Sequence, residues 1–453
     1  METGSYSIWA VVSAVVAVAV TASLWRVMNW LWIRPKRLER YLRSQGFDGR
    51  PYRFLKGDMK EALEMVKEAK SRQLDISDDA ALRVFPFPHH TVKTYGKKSF
   101  TWVGPVPRVN IMNPEHIKEV LTKIDDYPKS RPNPLMRLLA TGIAIYNGEK
   151  WARHRRILNP AFHQEKLKIG RQVYIPGWRF VPTKLNTRMK QVHKEIQEAI
   201  QEIINKREKA MRMGEVVSNN DLLGLLMESN NNSGKNGRMT LEDVIEECKL
   251  FYFAGQETTS AVLVWTMILL SKYPVWQERA RHEVLHVFGT DDVSATTLDS
   301  SGLSRLKTMT MILHEVMRLY PPLMQLTRAI ERETKMGDFV LPTGIQVALP
   351  AILVHKDPEI WGSDAGEFNP ERFVDGISKA TKNPNQQGAY FPFGWGPRIC
   401  IGQNFALMEA KMALVIILKR FSFELAPSYV HAPSTEAPIP QPQFGARLIL
   451  HKL

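Results

Sequence analysis

The chain has 453 residues, 44% of them hydrophobic and 24% charged, and its 61 Lys and Arg against 46 Asp and Glu give a formal charge of +15. This is globular composition, which excludes a collagen-like, disordered or disulfide-dense chain, and two cysteines (Cys248 and Cys400) point to a reducing compartment. The positive excess favours an anionic membrane surface or an acidic protein partner; no nucleic acid is expected, since no Lys/Arg run is interleaved with aromatics and no zinc-finger spacing occurs.

From Thr3 to Trp25 no residue is charged. At about 1.5 Å rise per residue this stretch spans the roughly 30 Å hydrocarbon layer of a lipid bilayer. Only Glu2 precedes it, where a cleaved signal peptide carries positive charge. Arg26, Arg34, Lys36 and Arg37 follow, so the positive-inside bias predicts a single-pass anchor (3–25) with a cytosolic body. Residues 26–50 read as a basic, Pro-containing hinge linker and 51–453 as the main body. Pro35 is expected to break the helix and turn the chain away from the bilayer.

Tyr41 to Asp79 is charge-rich and broadly helical, whereas Val84 to Pro88 and Phe100 to Met112 read as short strands. Asn113-Pro114-Glu115 opens a helix with Asn113 as N-cap. Lys190 to Arg212 is a long charged helix, and Glu228 to Gly237 is a polar loop. In that loop Asn231-Asn232-Ser233 matches a glycosylation sequon that a cytosolic body would not present to the enzyme. Thr240-Leu241-Glu242-Asp243 caps a helix reaching about Lys272. Helices follow near 274–288 and 304–319, then Pro-rich short strands, then a helix from about Gly402 to Lys419. There is no internal repeat, and the fold class is mainly α with a minor β part.

His282-Glu283-Val284-Leu285-His286 fits the H-E-x-x-H zinc signature, with Gly289 and Asp292 where a third ligand could stand. On a helical wheel, however, Trp276, Ala280, Val284 and Val287 share one face and the histidines lie nearly opposite, beside the cationic Arg279. The segment reads as a solvated helix face, with Gly289 as its C-terminal cap.

Cys400 closes Phe393-Gly394-Trp395-Gly396-Pro397-Arg398-Ile399-Cys400-Ile401-Gly402. Glycines at 394, 396 and 402 permit a tight loop whose backbone amides approach the sulfur. Arg398 and the start of a helix after Cys400 favour a thiolate there, suited to an iron ligand. With this F-x-x-G-x-R-x-C-x-G pattern the chain resembles a cytochrome P450, a haem-thiolate monooxygenase. Four further segments carry the resemblance in order: Trp151-Ala152-Arg153-His154-Arg155 (W-x-x-x-R), Ala254 to Thr259 (A-G-x-[DE]-T-T), Glu315-Val316-Met317-Arg318 (E-x-x-R) and Pro370-Glu371-Arg372-Phe373.

The resemblance implies a P450 fold behind the membrane anchor and haem b as cofactor, with Cys400 as the axial iron ligand. Phe393 and Gly402 belong to the haem loop. Trp151, Arg155, Arg328 and Arg398 would meet the propionates, Glu315, Arg318 and Arg372 would form a buried network, and Glu257 and Thr258 would relay protons. NADPH enters only indirectly, through a separate NADPH–cytochrome reductase, for the chain has no flavin or nicotinamide fingerprint. The implied partners are that reductase, the lipid bilayer and a small-molecule substrate, at the endoplasmic reticulum membrane. Arg34-Pro35-Lys36 to Gly57-Asp58, Tyr174 to Phe180 and Gln403-Asn404-Phe405-Ala406 to Met412 are similar to a plant clan that includes secologanin synthase and triterpenoid and hormone oxidases, whose substrates are mostly terpenoid-derived. By family position the pocket walls are Leu135, Met136, Phe251, Ala254, Leu323, Leu326 and Phe444.

The chain departs from the family between Phe162 to Lys168 and Tyr174 to Gly177, where about five residues stand in place of several helices, on the order of five at an average length. Their loss is expected to leave apolar faces such as Leu250/Val264 and Leu407/Leu414 in water. An active monooxygenase and a shortened, inactive or unstable homologue are therefore both open. Intact Thr258 and an uninterrupted Phe393–Cys400 loop argue against a third class, haem-thiolate enzymes that rearrange peroxides.

Overall fold

The computed structural model describes residues 3–130, 142–158, 184–213, 221–231, 239–289, 300–383, 386–435 and 439–453. Leu135, Met136, the two segments flanking the shortened stretch, Ser233 and Asp292 lie outside these residues.

The apolar helix α1 (Thr3–Met28) passes through a π-helical turn, Asn29–Ile33, directly into α2 (Arg34–Ser44). Pro35 therefore opens α2 and does not end the helix, and the stretch read as a hinge linker is largely helical. The N–H of Arg34 reaches back to Asn29 O, and this wider turn gives the proline ring room. Pro35 has no N–H to offer the carbonyl of Leu31, four residues back. The Tyr52 hydroxyl donates to that carbonyl at 2.6 Å, and Trp32 packs on Tyr52 and Phe54 with ring centroids 6.1 and 6.0 Å apart. A backbone acceptor released by proline thus becomes the joint between the apolar N-terminal helix and the body.

The body begins with α3 (Met59–Ser71), α4 (Ala81–Val84) and α5 (Pro86–Tyr95). Residues 84 and 86–88 are helical where a strand is predicted, with Phe85 the bend between α4 and α5: Pro86 takes the first turn of α5, a place where its missing donor costs nothing. The aromatic residues Phe85 and Phe87 that read as strand are buried. β1 (Asp48–Gly49), β2 (Ser99–Val103), β3 (Val106–Asn110), β4 (Leu326–Ala329) and β7 (Gln346–Leu349) form a sheet of order β1-β2-β3-β7-β4, with β5 (Thr334–Met336) and β6 (Phe339–Leu341) as a separate hairpin. The register sets Arg328 of β4 opposite Val347 of β7. Between β3 and β4 in sequence come α6 (Pro114–Thr122), α7 (Gly148–Leu158), α8 (Lys184–Arg212), α9 (Leu222–Asn231), α10 (Leu241–Lys272), α11 (Pro274–Phe288), α12 (Ser300–Arg305) and α13 (Lys307–Leu319). Asn113 Oδ1 accepts the N–H groups of Glu115 and His116 to cap α6, and Thr240 and Asp243 form a complete capping box at the start of α10. After β7 come α14 (Ala351–Val354), α15 (Pro358–Trp361) and α16 (Gln403–Arg420).

Helix α10 has 32 residues, about 48 Å at 1.5 Å per residue, and it serves two apolar clusters. Its first half packs with Ile143, Ile204, Leu222 and Leu226, and its second half with Leu313, Val316, Leu414 and Leu418. A third cluster, including Phe100, Trp102 and Val347, surrounds the sheet. The expectation that the shortened chain bares its helices fails at the residues singled out for it. Leu250 and Leu414 are 6% and 0% exposed, and Val264 and Leu407 are half-buried against the second cluster. The retained α8 and α9 supply Ile204 and Leu226 over the first half of α10, and α11 to α13 cover α16.

Candidate haem-thiolate site

The Cys400 loop is held by its own backbone. Cys400 N–H donates to Phe393 O at 2.8 Å, Gly394 N–H to Phe391 O at 2.9 Å and Ile399 N–H to Gly396 O at 3.0 Å. Gly394 and Gly396 have φ of +74° and +69°, and a Cβ on Gly396 would stand 2.7 Å from Leu121 O, so α6 leaves no room for one. Gly402, by contrast, has an ordinary φ of −89°. Its contribution is an N–H directed at the Cys400 sulfur. Cys400 keeps accessible surface, yet the protein around it is dense enough that burial raises its thiol above the usual range, against the pull of the Gly402 N–H and Arg155.

Arg398 of this loop and two cations predicted from distant segments, Arg155 and Arg328, meet beside Cys400, together with a fourth. Arg398 lies with its guanidinium carbon 5.4 Å from the Trp151 ring of α7, and Arg155, one turn further along α7, acts electrostatically on Cys400. Arg328 is buried on β4, where its backbone pairs with that of Lys129 in an isolated antiparallel β-bridge. Lys129 is the residue that the sequence reading missed. Burial, then Arg398 and Arg328, push its amine down to about 7, and burial with Arg398 brings Arg328 down to about 10. The Arg398 Nε and Nη1 atoms are buried and have no hydrogen-bond partner among the described residues. Buried guanidinium nitrogens without acceptors, in a cluster of like charges, fit a ligand bearing carboxylates. A cysteine with a backbone donor aimed at its sulfur fits an iron that the same ligand carries.

The residues predicted to form a buried network are brought together. Arg318 makes a two-pronged contact with Glu315 (Nε to Oε2 2.7 Å, Nη2 to Oε1 2.8 Å), and both are 0% exposed. Arg372 approaches Glu315 at 3.5 Å and donates to Trp361 O. Arg318 also donates to His355 O at 2.8 Å, and the His355 ring accepts the N–H of Phe391 at 3.1 Å, at the entrance to the Cys400 loop. Burial and Arg318 push the His355 imidazole down to about 3, so it stays neutral and able to accept. His355 is a second residue that no motif marked.

Helix α10 remains α-helical through Ala254 to Thr259, and the Thr258 hydroxyl donates to Ala254 O at 2.5 Å. Glu257 is buried and accepts from Gln441 Nε2 at 3.3 Å, so its carboxylate faces the chain end and Thr258 is bonded within its own helix. Ala254, Trp151 and Ile401 pack on one apolar cluster, which sets this part of α10 against both α7 and the Cys400 loop. Of the predicted pocket walls, Phe251 is buried in that cluster and Leu326 is half-buried against the sheet core. Leu323 and Phe444 are 47% and 56% exposed, which places both at the surface. A cleft of about 470 Å³, lined among others by Phe47, Asn110, His116 and Asp357, contains none of the predicted site residues.

The side chains of the H-E-x-x-H segment are engaged elsewhere or face solvent. Glu283 accepts the N–H groups of Thr308 and Met309 at 2.7 and 3.0 Å and so caps α13, while the His282 side chain is 79% exposed. Ala280 and Val284 are buried, as the helical wheel predicts.

Comparison with known proteins places this geometry. The family model described as "Cytochrome P450" matches residues 82–173 and 170–446, two segments that meet at the shortened stretch. The chain is 48% identical to Cytochrome P450 72A15 of Arabidopsis thaliana over 519 positions, covering 99% of each, and 44% identical to Secologanin synthase 1 of Catharanthus roseus, covering 100% of each. The first alignment has 66 more positions than this chain has residues, so at least that many positions of the relative have no counterpart here. A retinoic acid-bound cyanobacterial CYP120A1 superposes with a TM-score of 0.68 at 23% identity, over 83% of this chain and 95% of that one.

Proposed function

The chain belongs to the cytochrome P450 family and is an oxygenase, and from that premise we propose that it is a membrane-anchored monooxygenase of a small lipophilic, terpenoid-derived plant metabolite. Its electrons come from an NADPH–cytochrome reductase, and its body lies on the cytosolic side of the endoplasmic reticulum membrane. One observation carries the proposal: a cysteine with a backbone donor on its sulfur stands beside four cations, of which Arg398 keeps two buried nitrogens without a partner. Haem bound there supplies the iron that activates dioxygen, with Cys400 as its thiolate ligand. The chain's own residues do the remaining work. Arg155, Arg328, Arg398 and Lys129 would hold the propionates, and Cys400, with the Gly402 N–H directed at its sulfur, would hold the iron. The Glu315–Arg318–Arg372 network, through His355, fixes the entrance to the Cys400 loop. Thr258 Oγ1 and the Glu257 carboxylate are the proton-holding groups on the central helix. The terpenoid class rests on the similarity to Secologanin synthase 1 and to the other plant relatives.

A second reading, a shortened homologue without activity, has its own support in the unmatched positions and the split family match. Reconstitution with a plant NADPH–cytochrome reductase under ¹⁸O₂ separates the two. The monooxygenase reading predicts one ¹⁸O atom in a terpenoid product, with NADPH required. If haem-loaded chain consumes no NADPH over background with any member of a broad terpenoid panel, the proposed substrate class is wrong.

A further inference from the structure

Glu247 lies on α10, outside every haem motif and about two turns before Ala254, and is 0% exposed. A carboxylate so buried requires partners on both oxygens, and it has them. Its Oε1 accepts from His154 Nδ1 at 2.6 Å, and its Oε2 accepts the N–H of Ile143 at 3.0 Å. Each partner leads to the cation cluster. His154 is buried on α7 between Trp151 and Arg155, the two haem-facing positions of that helix. Ile143 offers its carbonyl to Lys129 Nζ at 2.8 Å, and the Lys129 backbone pairs with that of Arg328. Glu247 also acts on Lys129 as an opposing charge in a neighbourhood of cations. A second tie runs parallel, from Lys150 of α7 to Asp243 at 2.6 Å, but it is exposed on the lysine side. The chain around Ile143 is shaped to this carboxylate. Gly142 has φ of +61°, and a Cβ there would lie 2.6 Å from Glu247 Oε2.

We propose that Glu247 is a positioning residue that sets the register of the carboxylate-binding cations, holding α7 through His154 and Lys129 through Ile143. The proposal rests on the reading of the cluster as the haem propionate site. It adds that the central helix, besides carrying Thr258, fixes the other half of the haem cradle two to three turns nearer its N-terminus. Glu247 touches no substrate or cofactor; its effect passes through His154 and Ile143. Loss of such outer partners typically costs about ten- to a hundredfold in affinity for the bound group.

The test uses the full-length, haem-loaded protein in nanodiscs and follows haem transfer to apomyoglobin, together with the resonance Raman bands of the propionates. Glu247→Gln is expected to raise the haem-loss rate about ten- to a hundredfold and to shift the propionate bands. Gly142→Ala, which presses on the same carboxylate without altering charge, is expected to do the same. Leu226→Ala serves as the control, since Leu226 is buried in the same apolar cluster without belonging to the circuit. It is expected to lower thermal stability while leaving haem loss and propionate bands near wild type. If Glu247→Gln loses haem at the wild-type rate, or no faster than Leu226→Ala with unshifted bands, the positioning role is refuted. Wild-type protein that never holds haem would instead overturn the haem-site reading, and this proposal with it.

Discussion

Replacing Cys400 with alanine is expected to abolish the reduced carbon-monoxide thiolate band completely, because no second sulfur can take its place. Cys248, the other cysteine, lies on α10 with its thiol pushed up to about 12 by burial and by Glu247, so it is inert as a ligand. Cys248→Ala should therefore keep the band. So should His282→Ala and His286→Ala: Glu283, between these two histidines, is engaged at the start of α13, and His282 points into solvent. A retained thiolate spectrum in Cys400→Ala would refute the ligand assignment. The loop itself should survive the substitution, since the bond from residue 400 to Phe393 O is made by the backbone.

Arg318→Ala is expected to cost about 3–5 kcal/mol, the range for removing one partner of a buried pair. That is a large part of the roughly 5–15 kcal/mol that holds a typical domain together. The cost is high because Arg318 serves several acceptors at once: both oxygens of Glu315, and the carbonyls of His355, Ala365 and Glu367. Removal leaves the Glu315 carboxylate buried, with the Asn369 N–H as its nearest donor and Arg372 at 3.5 Å. Through His355 the disturbance reaches the Phe391 N–H and hence the Cys400 loop. Denaturant midpoints and the yield of haem-loaded protein should both fall steeply. As a contrast, Lys206→Ala breaks the exposed pair with Glu202 at 2.7 Å and should leave stability nearly unchanged. Equal stability of the two variants would show that the network does not support the fold.

The sequence and the structure agree where the determinants are local, and they part where folding does the selecting. Asn113 and Thr240 announce their helix starts because a cap acts within three residues. The apolar N-terminal helix, the long central helix and the Cys400 loop are legible for the same reason: apolar length, capping box and glycine spacing are local features. Residues 84–88 mislead because Phe85 and Phe87 carry β propensity, which burial overrides. Pro35 misleads because its cost is relieved from outside, by the hydroxyl of Tyr52. Lys129, Glu247 and His355 carry no motif. They matter through partners far away in sequence, and each reads in isolation as an ordinary polar residue. The shortened stretch shows the reverse case. The sequence reveals the lost helices but not that α8, α9 and α11 to α13 still cover Leu250 and Leu414.

The central claim is that this chain, despite its shortened middle, builds a haem-thiolate site on Cys400. The most direct test is the reduced carbon-monoxide difference spectrum of membranes expressing the unaltered chain, with haem and protein quantified in the same sample. The buried network, the covered central helix and the cation cluster predict a strongly red-shifted thiolate Soret band with near-stoichiometric haem. Abundant membrane-bound protein with no such band would contradict the claim and would leave the inactive shortened homologue as the account of this chain.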